Sequence, residues 1–208
     1  MPTKNPTLHG SAPDQSSVAL LLVDVINDFN FPEADLMLPR AIAAASQISS
    51  LRQHAQRENV PVIYVNDNFG RWRSDFNATV ENALKSKGRA VAERLRPGPD
   101  DYFVLKPKHS GFFSTTLEIL LHYLGVRSVV IAGFAGNICV LFTAADAHMR
   151  DLDLSIPADA TASNTVEENQ AALALMASVF KADTRPAAEV SFAALARLRE
   201  LRHANAGG

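Results

Sequence analysis

The sequence predicts a three-layer α/β/α single domain with a mostly parallel, Rossmann-like central sheet. Three observations predict it. Short β-branched runs alternate with helix-period segments along most of the chain. The first run, Val18–Asp24 (VALLLVD), is apolar throughout until its closing carboxylate, as a strand covered on both faces must be. The 208 residues, 47% apolar and 20% charged, supply the core of one such domain.

Taken in order, Met1 to Ser17 is polar and reads as a flexible arm, followed by a domain over 18–203 and a tail over 204–208. After the first strand, Pro39 stands where a first helical turn tolerates it, and Ile42, Ala45, Ile48, Leu51 and Ala55 form one stripe. Pro61–Asn66 (PVIYVN) is a second strand. Asp67 to Gly88 lacks clean periodicity and reads as a long functional loop or lid with at most a helical turn. Tyr102–Leu105 is a third strand ending at Lys106. Thr115 and Glu118 have capping-box spacing before a helix carrying Leu117, Leu120, Leu121 and Leu124, closed by Gly125. Arg127–Ala132 is a fourth strand, followed by the turn Gly133–Asn137 and a helix from Ile138 to Arg150. Asp153–Ile156 is a fifth strand. Asn164 caps a helix bearing Leu173, Met176, Ala177 and Phe180, and a last helix follows Pro186.

Composition narrows the function classes. A net charge of -2 with scattered basic residues gives no electrostatic reason to expect nucleic acid or an anionic membrane as partner. No apolar run reaches the roughly 18–20 residues of a membrane span, and the N-terminus has no signal-peptide centre. A single cysteine excludes an internal disulfide. The expectation is a cytoplasmic protein acting on a small molecule.

Ligands of parallel sheets bind outside the carboxyl ends of the strands. Asp24 closes the first strand, Lys106 follows the third, and Cys139 follows the fourth after a short turn. An acid, an amine and a thiol brought to one edge form a coherent set for nucleophilic catalysis. Cys139 in a first helical turn, beside the Lys106 ammonium, is expected as a thiolate. Asp24 is the natural base, and backbone N–H groups of the turn are candidate oxyanion donors. Separately, each residue has a plain alternative: an inert core cysteine, a salt-bridge carboxylate, a surface lysine.

The residues now quoted resemble the isochorismatase-like cysteine hydrolase family, which includes nicotinamidase, N-carbamoylsarcosine amidase, ureidoacrylate and maleamate amidohydrolases, and isochorismatase. ALLLVDVINDF (Ala19–Phe29) is similar to the motif whose aspartate is the general base, which implies that role for Asp24. KPKHSGFF (Lys106–Phe113) is similar to the motif whose opening lysine completes a triad, and AGFAGNICVLFTAADA (Ala132–Ala147) to the nucleophile motif, with Cys139 as attacking thiol. The likeness runs from about Val18 to Asp183. It further implies a cis Phe134–Ala135 bond that turns the Ala135 N–H toward the site, beside the Cys139 N–H, as the oxyanion hole. The implied reaction splits the C–N bond of a small amide, carbamoyl or ureido compound through a thioester acyl-enzyme. Family members are commonly dimers or tetramers, so a homo-oligomer is expected.

The sequence departs from the family pattern in places. Ile26 stands where glutamine commonly supports the aspartate, and His109 where tyrosine is usual. In the nicotinamidase Asp-x-His motif Asp67 remains, but Phe69 replaces the first histidine. Phe cannot ligate zinc or iron, so neither a metal nor another cofactor is expected, and nicotinamide is a poor substrate guess. The presence of Cys139 favours amide or ureido chemistry over the vinyl ether hydrolysis of isochorismatase, whose well-known forms lack it. The pocket wall is expected from Phe29, Asn68, Trp72, Phe112, Phe134 and Phe142, with Arg71 and Arg73 as candidates for a substrate carboxylate. The alternatives are an isochorismatase-type ether hydrolase and a non-catalytic relic that binds a metabolite or partner. A redox-sensing cysteine is weaker, for want of a second cysteine to resolve it.

Overall fold

Every residue of β1 (Val18–Val23) is buried, because both its neighbours and both its faces are covered. The computed structural model describes residues 15–70, 72 and 75–197. β1 pairs in parallel with β2 (Val62–Asp67) on one side and with β4 (Ser128–Phe134) on the other. β3 (Tyr102–Lys106) lies outside β2, and β5 (Asp153–Ser155) outside the first half of β4. The strand order is therefore β3-β2-β1-β4-β5, with a two-residue β6 (Thr161–Ala162) pairing the end of β4 at Gly133 and Phe134. The order reverses between β1 and β4. That reversal is the topological switch point, where the connections diverge and leave a crevice at the carboxyl edge.

The alternation of β1 sorts the core into two layers. Val18, Leu20 and Leu22 face α1 (Ala34–Arg57) and the segment bearing α2 (Phe76–Leu84) and α3 (Arg89–Arg94). Ala19, Leu21 and Val23 face α4 (Leu117–Leu124), α5 (Leu141–His148) and α6 (Val166–Val179). The alternating parallel architecture is the predicted one. Gly125 closes α4 in the left-handed conformation at φ 76°, as expected of a helix-ending glycine.

Several local expectations are corrected. Pro39 lies inside α1, which starts five residues earlier, and Ala41 rather than half-exposed Ile42 completes the buried stripe. The segment read as a long loop holds α2, started by an Asp75 cap whose carboxylate accepts from the Ala78 N–H, and α3 begins directly after it. Thr116, not Thr115, precedes α4, but the capping contact is Thr115's: its Oγ1 accepts from the Leu117 N–H at 3.1 Å while its hydroxyl donates to the Gly111 carbonyl. Thr165, not Asn164, caps α6, in a reciprocal capping box with Glu168. Ser16 and Ser17, the last two residues of the predicted arm, are tied by backbone hydrogen bonds to Leu124, Arg127 and Ser128. Residues 1–14 of the predicted arm and the predicted tail, 204–208, lie outside the described residues. Among the described residues, no helix is long and apolar enough to cross a membrane.

Candidate active site at the carboxyl edge

Asp24 follows β1 directly and takes φ 52°, a left-handed backbone that aspartate tolerates better than most residues. The turn throws its side chain across the strand ends toward β2, where Asp24 Oδ1 accepts from the Asp67 N–H at 2.7 Å. Lys106 closes β3 and is wholly buried. Its Nζ lies 2.9 Å from Asp24 Oδ2, 3.4 Å from Cys139 Sγ and 3.4 Å from Asp67 Oδ2. One ammonium thus joins the three predicted residues at the switch point, with Asp67 as a fourth member that the sequence offered only as a metal ligand.

Cys139 sits in a π-helical turn, Gly136–Val140, between β4 and α5. π turns are rare and cluster at functional sites. The Ala135 carbonyl accepts from the Ile138 and Val140 N–H groups, closing the turn. Gly133 and Gly136 leave room for the close approach this needs: a Cβ at Gly133 would stand 2.0 Å from the Val23 carbonyl oxygen, and one at Gly136 2.2 Å from Asn169 Oδ1. The segment after Lys106 is pinned to α5, with the Ser110 hydroxyl donating to Asp146 and the Gly111 N–H to Thr143 Oγ1. Those bonds fix the lysine strand against the cysteine helix.

The electrostatics correct one expectation. Burial pushes the Cys139 thiol up, the Asp24 carboxylate adds to the rise, and Lys106 only partly opposes it. That direction runs against the standing thiolate expected from the helix end and the ammonium alone. Burial likewise raises the Asp24 carboxyl above the usual range, against the pull of Lys106, Cys139 and the Asp67 N–H. Burial works against the Lys106 ammonium, but Asp24, Cys139 and Asp67 outweigh it and hold that group above an ordinary lysine. The result is an ammonium flanked by a carboxyl and a thiol, both of which burial pushes toward their protonated forms.

The Phe134–Ala135 bond is not cis; the described residues contain no cis peptide bond. Ala135 opens the turn at φ −8° and ψ 97°.

The predicted pocket wall divides. Phe29 and Phe134 are buried core residues, their ring centroids 6.1 Å apart, and Phe112 is buried under the Arg150 guanidinium at 4.7 Å. Asn68 is half-buried beside the site, its N–H donating to the Lys106 carbonyl. Phe142 is exposed on α5 with His109 5.6 Å away, which makes His109 a surface ring neighbour. Trp72 is 83% exposed, so it neither anchors the loop nor packs on the domain. Arg71 and Arg73 lie outside the described residues.

Sequence reasoning missed Asn66. Fully buried, it accepts from the Ile26 N–H at 3.3 Å through Oδ1 and donates to the Ile26 carbonyl at 2.6 Å through Nδ2. This clamp holds the backbone two residues past Asp24, taking over the support expected of a glutamine at position 26. A buried amide at a strand end next to the acid was the available signal.

A nicotinamidase-type metal does not fit these residues. Asp67 Oδ1 accepts from the Phe69 N–H and Oδ2 pairs with Lys106, while Phe69 offers no donor atom. Among the described residues, no group of three or more His, Cys, Asp or Glu side chains is placed to hold a metal ion.

Parallel strands deliver an acid, an amine and a thiol to one switch point at the carboxyl rim of an α/β enzyme fold. The sequence matches the family model of the isochorismatase domain over residues 18–187. It is 41% identical over 165 residues to the uncharacterised isochorismatase family protein YaaI of Bacillus subtilis (strain 168), covering 79% of this chain and 91% of that protein. It is 28% identical over 166 residues to enterobactin synthase component B of Escherichia coli (strain K12), covering 76% of this chain but spanning only 58% of that longer protein. The crystal structure of N-carbamoylsarcosine amidase from Thermoplasma acidophilum superposes with a TM-score of 0.66 at 28% identity, covering 85% of this chain and 99% of that one. The chain belongs to the isochorismatase family and is a hydrolase of that family.

Proposed function

We propose that the protein is a metal-independent cysteine hydrolase that splits the C–N bond of a small amide, carbamoyl or ureido compound, with Asp24, Lys106 and Cys139 as its catalytic residues. The observation that carries this reading is the single buried ammonium within 2.9 Å of a carboxylate and 3.4 Å of a thiol. The structural likeness to N-carbamoylsarcosine amidase supports the carbamoyl and amide classes.

In this reading Asp24 takes the Cys139 proton as Sγ attacks the substrate carbonyl carbon, so the thiolate exists only while it forms the new C–S bond. The tetrahedral oxyanion accepts from the Cys139 N–H, with the Ala135 N–H as the second candidate donor. Collapse breaks the C–N bond, and Asp24 returns its proton to the departing ammonia or amine. Asp24 then deprotonates a water that attacks the thioester, releasing the acid and restoring the thiol. Lys106 stays charged throughout and offsets whichever of Asp24 and Cys139 carries the negative charge. The raised Asp24 carboxyl suits it to a base's work near neutral pH. Asn68 and Phe142 stand as substrate-facing residues at the rim. The small-molecule substrate is the one partner this chemistry requires; a cytoplasmic homo-oligomer completes the proposal.

The test follows released ammonia from a primary amide, an N-carbamoyl amino acid and a ureido acid. Turnover of at least one, abolished by Cys139→Ala, is the expected result. Ammonia release that survives Cys139→Ala would overturn the thiol mechanism. No release from any of the three, with no acyl adduct on Cys139 in acid-quenched mixtures, would favour the binding relic instead.

A further inference from the structure

The turn that carries Cys139 is gripped from behind. The Asn137 N–H donates to Ser163 Oγ at 3.1 Å, and the Ser163 hydroxyl donates to Asn169 Oδ1 at 3.0 Å. Asn169 Nδ2 donates in turn to Thr161 Oγ1 at 3.3 Å and to the Thr161 carbonyl at 3.5 Å. Each oxygen accepts and each N–H or O–H donates, so the chain is satisfied in one orientation only. Ser163 is fully buried, and the missing Cβ of Gly136 is what lets the turn rest on Asn169. Asn169 is held in the first turns of α6, whose start is set by the Thr165–Glu168 capping box. β6, α6 and the nucleophile turn thus meet at two side chains, neither of which reaches Lys106, Asp24 or Cys139. Asn169 and Ser163 also line a cavity of about 460 Å³ between α1 and α6.

We infer that Ser163 and Asn169 are positioning residues: through the Asn137 N–H they set where the π turn places Cys139 Sγ against Lys106 and Asp24. The inference rests on the reading of Cys139 as nucleophile. Its physical basis is that a thiol needing a base and an ammonium at once has little positional freedom. A misplacement of about 1 Å costs on the order of 100-fold in rate.

Ser163→Ala and Asn169→Ala test this. Ser163→Ala removes one oxygen without new bulk, and Asn169→Ala acts at a half-buried position, so the pair guards against loss of folding in either. Three quantities are read for each: kcat and KM on the fastest amide of the panel above, the ultraviolet titration of the chain's single thiol, and Tm. In Ser163→Ala, kcat is expected to fall about 10- to 100-fold with KM within about threefold of the parent. The thiolate midpoint is expected to move down toward that of a free thiol, as the sulfur leaves its buried contact with Asp24. A merely structural role would lower Tm and move neither. If both variants kept kcat within about threefold and the parent titration, the positioning role would be overturned, whatever happened to Tm. Cys139→Ala, run in parallel, separates the two readings. An inert Cys139→Ala beside fully active Ser163→Ala and Asn169→Ala sinks the positioning role alone, whereas an active Cys139→Ala sinks both.

Discussion

Lys106→Met tests the electrostatic centre of the site. The parent ammonium is wholly buried, 2.9 Å from Asp24 Oδ2 and 3.4 Å from Asp67 Oδ2. At an effective dielectric near 20, these contacts amount to about 6 and about 5 kcal/mol of gross attraction, most of it offset by desolvation. Methionine fills similar volume but leaves Asp24 buried without its counterion. Breaking one side of a buried pair costs about 3–5 kcal/mol. Asp24 can limit that cost by taking up a proton, and this gives the loss a pH signature. Its folded pKa, already raised in the parent, rises further in the variant. A carboxyl with a folded pKa above its unfolded value of about 3.9 leaves the folded state progressively less stable as pH increases. The gap between variant and parent is therefore small while both folded carboxyls hold their protons, and widens by up to about 1.4 kcal/mol per pH unit from where the parent's Asp24 ionises to where the variant's does. Urea unfolding of both proteins at about pH 5 and about pH 8 measures it. A gap that is the same at both pH values, or below about 1 kcal/mol at the higher one, would refute the reasoning. Ammonia release by Lys106→Met is expected to be lost at every pH.

At the alkaline end the parent has its own signature. Cys139 and Lys106 both have folded pKa values above their unfolded ones, so the stability they contribute is complete below about pH 8.5 and drains away as pH rises through the folded values. Cys139→Ser is expected to flatten the first part of that fall, and an identical alkaline unfolding curve would contradict the raised thiol. Asn66→Leu removes both bonds to the buried Ile26 backbone and is expected to cost about 3 kcal/mol in urea unfolding; a loss under about 1 kcal/mol would show that Ile26 finds other partners. Dialysis against a strong chelator is expected to leave turnover unchanged, because Asp67 is committed to Lys106 and Phe69 cannot ligate; activity lost to the chelator and restored by zinc would overturn that reading.

What could be read from the sequence follows from the range of the interactions involved. Strands buried on both faces write themselves as unbroken apolar runs, so β1, β2 and β4 and the parallel class were legible, and with them the shared edge of Asp24, Lys106 and Cys139. β6 was not, because two residues carry no period and pair only where β4 offers a free edge. α2 and α3 were missed because each buries only two or three residues, too few to set a stripe. The aromatic pocket wall failed at Phe29 and Phe134 for a different reason. Proximity to a catalytic residue in sequence does not say which face a ring takes, and these two turn into the α1 layer. The thiolate expectation counted the helix end and the ammonium but not desolvation, which depends on the packing around Val23, Val140 and Ala144 and is invisible in a motif. Asn66 shows the reverse: a polar side chain in an apolar strand was a visible signal, but its partner lies forty residues away.

Mass spectrometry of acid-quenched turnover mixtures bears most directly on whether Cys139 is the attacking atom. The predicted result is a mass increase equal to the acyl portion of the substrate, mapped to the peptide holding the chain's single cysteine and absent from Cys139→Ser. Rapid ammonia release with no adduct on that peptide, and undiminished in Cys139→Ser, would contradict it.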